Sequence, residues 1–149
     1  MSELPEKVMD ITQLATYINK IEDMASINKA MTPVYLRDFI QGQDVATTLY
    51  AKAVKADAKA KARLEYAESI AYLENAKAYL DAKGIKDTSE ARKQYVNVDP
   101  AVVESKDLKA QTEAFVILLK GKMSELRQAH DDLKKIIYDS SNPTGWEGM

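Results

Sequence analysis

Between positions 51 and 63 the chain reads Ala-Lys-Ala-Val-Lys-Ala-Asp-Ala-Lys-Ala-Lys-Ala-Arg, setting five cations, Lys52, Lys55, Lys59, Lys61 and Arg63, against one acid, Asp57. Cations at this density can track a polyanion, because each phosphate they neutralise releases condensed counterions and makes binding depend on salt. Lys52, Lys55 and Lys59 recur at i, i+3 and i+7, which is one stripe of a helix. Tyr50 and Tyr66 bracket the run, and a ring beside a cationic track can stack on unpaired bases. The same lysines fit a solvated helix face. Tyr66 also fits an apolar seam with Ile70, Leu73 and Leu80, broken by Lys77, that would bury it. Arg92 and Lys93, with Lys83 and Lys86, can extend the cationic track, although Asp87 and Glu90 dilute it.

Other chemistry is poorly supplied. The chain has no cysteine and a single histidine, so thiolate nucleophiles, disulfides and the common zinc ligand sets are excluded by composition. His130 is followed by Asp131 and Asp132, but consecutive helical residues point in different directions, so adjacency alone assembles no site. Glu-x-x-His is missing, since Arg127 stands three positions before the histidine. No Gly-x-Ser-x-Gly or phosphate-binding glycine loop occurs among the five glycines, at 42, 84, 121, 145 and 148. The expectation is a protein that is not an enzyme and needs no metal or cofactor.

The elements that must carry the basic run read as helices throughout. Ile11, Leu14, Ile18, Ile21 and Ala25 form one apolar stripe, predicting a helix over 6–30. Thr32-Pro33 opens a short element over 34–40 that Gly42 ends, a bend between helices. Asp44 then caps a helix of about forty residues reaching Lys83, where Gly84 supplies a left-handed stop. Asp87-Thr88-Ser89-Glu90 has the form of a capping box for a helix through Val96, and Asp99-Pro100 opens the last helix. On that helix Val116, Leu119, Met123, Leu126, His130, Leu133 and Ile137 recur at threes and fours, a seam suited to a neighbouring helix or to a coiled coil with a second chain. The only β-like run, Tyr95-Val96-Asn97-Val98, lies between two helix starts. The fold class expected is all-α: an elongated helical bundle with two long helices, an N-terminal helix and short connecting helices. One domain over 1–138 and a flexible tail over 139–149 are expected, with Trp146 in the tail as a docking anchor for its own chain or a partner.

Composition agrees. Of 149 residues, 46% are hydrophobic and 30% charged, but alanine supplies much of the apolar share and the core must be thin. Thin cores of long helices often complete their burial in a partner chain, so a homo-oligomer is expected. A net charge of −2 excludes a generally basic protein while permitting a local basic patch. Without a long apolar run or a signal-like start, the chain is expected in the cytoplasm, away from membranes.

The segment Lys59-Ala-Lys-Ala-Arg-Leu-Glu-Tyr66 resembles the Lys-Ala-Arg-Leu-aromatic signature of the recombination mediator proteins of T4-like phages. Arg92-Lys-Gln-Tyr-Val-Asn-Val-Asp99, followed by a helix rich in Val, Ala, Leu and Lys, is similar to that family's later order, so the layout compares over 45–137. The resemblance implies a non-enzymatic, helical homo-oligomer in the host cytoplasm. Such a protein binds single-stranded DNA and helps load a recombinase onto strands covered by a single-strand-binding protein. Lys59, Lys61, Arg63 and Tyr66 match the motif, and Lys52 and Lys55 join by helical position. The helix before the basic run and the longer, helical middle depart from the family. The rival expectation is a helical interaction or inhibitory module acting through the seam from Val116 to Ile137 and the Trp146 tail, with the lysines only solubilising it.

Overall fold

The computed structural model describes residues 11–22 and 31–141, and among them every regular element is helical. The helices are α1 (Thr12–Glu22), α2 (Thr32–Ile70), α3 (Ala76–Lys83), α4 (Ser89–Val96) and α5 (Pro100–Ser141). A π-helical turn, Ala71–Asn75, joins α2 to α3. The all-α class and the two long helices are as the sequence predicts. The chain divides into two compact units that share α2 and α5. The first unit holds Ala53–Val116, and the second holds the described parts of Glu6–Lys52 and Ile117–Met149.

The first unit has an alanine core. Ala53, Ala60, Ala71 and Ala76 are buried with Leu80 and Val102. The π turn explains how: Ala71 and Ala76 stand five positions apart yet both are fully buried, because the inserted residue rephases the helix. The seam of Tyr66, Ile70, Leu73 and Leu80 does not form. Tyr66 and Leu73 are 69% and 65% exposed, and the alanines take the buried side instead. The turn is tied to α4, since Arg92 Nη1 donates to the Tyr72 carbonyl at 3.1 Å and the Tyr72 hydroxyl lies 3.1 Å from Ser89 Oγ.

Helix ends in this unit are built locally. Gly84 adopts φ 67°, and the amides of Gly84 and Ile85 donate to Asp81 and Leu80, closing α3 with a Schellman motif. Thr88, not Asp87, caps α4, accepting from the Ala91 amide at 3.1 Å. The capping box is displaced because Asp87 is held by Arg92 in two bonds of 2.7 Å. Asp99 caps α5 as expected, its Oδ1 accepting from Ala101 and Val102 and its Oδ2 from Tyr95 and Asn75.

The second unit is built on larger side chains: Leu14, Phe39, Leu49, Leu119, Leu126 and Leu133 are buried in it. Lys20 of α1 donates to Asp38 of α2 at 2.7 Å. The bend expected at Gly42 and the cap expected at Asp44 are absent, because α2 runs unbroken through both. Gly42 is buried where α1 crosses closely: an added Cβ would stand 2.9 Å from Tyr17 Cβ and 3.2 Å from Leu126 Cδ2. This glycine is a close-approach residue, not a stop signal. Of the helix expected over 6–30, residues 11–22 are described, and the helix occupies Thr12–Glu22. Helix α5 continues to Ser141, so 139–141 belong to it and not to a tail, and Trp146 lies outside the described residues.

Candidate nucleic-acid-binding face

In the first unit, Lys55, Lys59 and Arg63 are all exposed and follow one another at spacings of four, so they line one flank of α2. Tyr66, three residues on, continues the same flank with its ring open to solvent. Lys61 is exposed too, but it lies four residues from Asp57 and so belongs to the other side of the helix. In the second unit, Lys52 is exposed and Tyr50 is half-buried.

Asp57 would be expected to weaken this positive field. Instead it is drawn to α5, where Lys109 Nζ donates to Oδ1 at 2.9 Å and Thr112 Oγ1 donates to the same oxygen at 2.9 Å. Burial raises the Asp57 carboxyl pKa, but the donors Lys109 and Thr112 outweigh it and hold it below the usual 3.8. The bond to Asp57 in turn raises Lys109. The one acid of the run is thus neutralised inside its own unit. Lys55, Lys59 and Arg63 form no ion pair among the described residues, whereas Lys20, Arg92, Lys109 and Lys122 each do. Of the possible track extension, Arg92 is spent on Asp87 and the Tyr72 carbonyl, while Lys83, Lys86 and Lys93 remain exposed.

Beside Tyr66 opens a groove of about 540 Å³ between α2 with its π turn and α5. Tyr66, Ile70 and Leu108 give it apolar walls, and Glu74, Glu104, Asn75 and Ser105 give it polar groups. Sequence reasoning passed over these last four, and over Lys109 and Thr112. Glu74 and Asn75 belong to the π turn, which no spacing rule announces.

The seam on α5 is partly consumed in the chain. Leu119, Leu126 and Leu133 are at most 1% exposed in the second unit, and Val116, Met123, His130 and Ile137 are half-buried. The buried line extends back through Thr112, Ser105 and Val102, beyond the apolar residues that marked it. His130 Nδ1 does lie 3.2 Å from Asp131 Oδ1, a contact that helix geometry argued against, while Asp132 accepts from Gln128. Among the described residues no group of three or more His, Cys, Asp or Glu side chains is placed to hold a metal, and no helix is long and apolar enough to cross a membrane. No protein family, curated protein or solved structure matches the chain.

Proposed function

We propose that the protein is a non-enzymatic binder of single-stranded DNA whose contact is the α2 flank of Lys55, Lys59 and Arg63, with Tyr66 as a stacking platform. The observation that carries this reading is that these cations are exposed and unpaired, while the neighbouring Asp57 is engaged by Lys109 and Thr112. A purely solubilising face has no need for its acid to be withdrawn. Exposure of Tyr66 supports single strands over duplex, since a ring can stack only on an unpaired base. Lys61 adds to the positive field from the other side of the helix, while Lys52 and Tyr50 belong to the second unit. Loading of a recombinase onto strands covered by a single-strand-binding protein, in a host cytoplasm and as a homo-oligomer, is what the mediator resemblance implies for such a binder.

The interaction-module reading is less well supported, because the three leucines of its seam are buried within the chain. Fluorescence anisotropy of labelled single- and double-stranded oligonucleotides at several salt concentrations tests the proposal. Three phosphate contacts predict a slope of log K against log salt near −2 for a single strand. Lys55→Glu with Lys59→Glu should remove most of the affinity and flatten the slope; an unchanged slope would mean that the strand binds elsewhere or not at all.

A further inference from the structure

Resting on that reading, we propose that the groove beside Tyr66 receives one nucleobase of the bound strand and prefers bases carrying an exocyclic amino group. Charge order along the first unit separates the two parts of a nucleotide. Lys55, Lys59 and Arg63 offer cations to the phosphates, whereas the groove that begins at Arg63 and Tyr66 carries Glu74 and Glu104. Carboxylates repel phosphate, so the backbone stays on the lysine side and only the base can enter. Its faces meet the apolar surface that Tyr66, Ile70 and Leu108 give the groove, the environment in which bases stack.

Part of the hydrogen-bonding capacity inside the groove is unspent. Ser105 is 6% exposed and its hydroxyl forms no hydrogen bond among the described residues, although none of their side-chain polar atoms is sealed away unsatisfied. That hydroxyl therefore opens onto the groove that Ser105 lines. Asn75 donates its amide nitrogen to Asp99 at 3.2 Å, which leaves its carbonyl oxygen as an acceptor. Glu74 and Glu104 form no ion pair among the described residues. The polar set is dominated by acceptors. Cytosine N4, adenine N6 and the guanine N1–N2 edge present donors to such a set, while thymine offers one ring N–H flanked by two carbonyls that face the carboxylates unfavourably.

The test compares oligo-dC, oligo-dT and an abasic strand of equal length by anisotropy at one salt concentration, with the wild-type protein and with Glu104→Gln and Tyr66→Ala. Oligo-dC should bind about fivefold more tightly than oligo-dT, the scale of one good base-edge pairing. Glu104→Gln should narrow that ratio without altering the salt slope, and Tyr66→Ala should weaken dC and dT while leaving the abasic strand unchanged. Equal affinity for all three strands, with a normal salt slope, overturns the base slot and leaves the backbone reading intact. Loss of binding to every strand overturns both. A preference for dT over dC would show that the groove reads carbonyls and would overturn the assignment of its carboxylates.

Discussion

At the scale of single residues, two aspartates organise the first unit. Asp99 is 2% exposed and accepts four hydrogen bonds, from Tyr95, Asn75 and the amides of Ala101 and Val102. Burial alone would raise its pKa, but these donors lower it, just as Lys109 and Thr112 lower that of Asp57. A carboxyl depressed in the folded state contributes stability above its unfolded pKa, and that contribution is lost as pH falls through the folded one. Denaturant midpoints should therefore hold from neutral pH to roughly pH 5 and decline as the pH drops below 3.8. Asp57→Asn should shrink that decline. Asp99→Ala should cost about 2 kcal/mol, a lost cap together with unpaired partners, read by urea denaturation. The hydrogen bond to Asp99, with burial, raises the Tyr95 hydroxyl to about 12. Its contribution is present below pH 10 and lost as the pH climbs towards 12. An absorbance titration of the eight tyrosines should show one late component that Tyr95→Phe removes. Caps of this kind were legible in advance: Asp99-Pro100 and Gly84 act as their residue types predict, because a cap depends on neighbours a few positions away.

At the scale of elements, the misreadings share a cause. Gly42 and Gly121 are both helical glycines, and sequence reasoning treats the first as a stop. In the fold it is the point where Tyr17 of α1 reaches α2, whereas nothing lies within 4 Å of a Cβ at Gly121. The two should respond oppositely to alanine. Gly121→Ala should stabilise by about 0.5–1 kcal/mol through helix propensity. For Gly42→Ala, overpacking of about 1–3 kcal/mol exceeds that gain, because the clash is with a Cβ that cannot swing aside. Thermal melts of the two variants separate these effects; stabilisation by both would deny the close crossing at Gly42. The π turn is the second example. Periodicity of threes and fours assumes an unbroken α-helix, whereas one inserted residue lets Ala71 and Ala76 both be buried; Tyr66 faces outward already on α2, away from the buried Ala53 and Ala60, and Leu73 is exposed within the turn. What was read as a seam became the exposed edge of the candidate site.

At the scale of the whole molecule, the leucines of α5 bear on what the protein does. Leu126 is fully buried in the second unit, so Leu126→Ala should lower stability by about 2–5 kcal/mol. Light scattering should show the mass of the still-folded variant unchanged; a fall to a smaller species would place the seam between chains. With an overall charge of −2, the proposed strand binding rests on the local run and is expected to fade with salt. By itself the sequence determined the helical class, the caps at Gly84 and Asp99, the basic run and the leucine period on α5. Each is set by residues within a turn or two of one another, where backbone preference and side-chain spacing act without knowledge of the rest of the chain. Tertiary structure alone decided that Asp57 would be taken out of the basic field by Lys109 and Thr112, fifty-two and fifty-five positions away. It also decided that Tyr66 would face water and that Ser105, Asn75 and Glu104 would share a groove. Those outcomes depend on how two distant helix faces meet and on a single extra residue in a π turn, and no local rule carries that information.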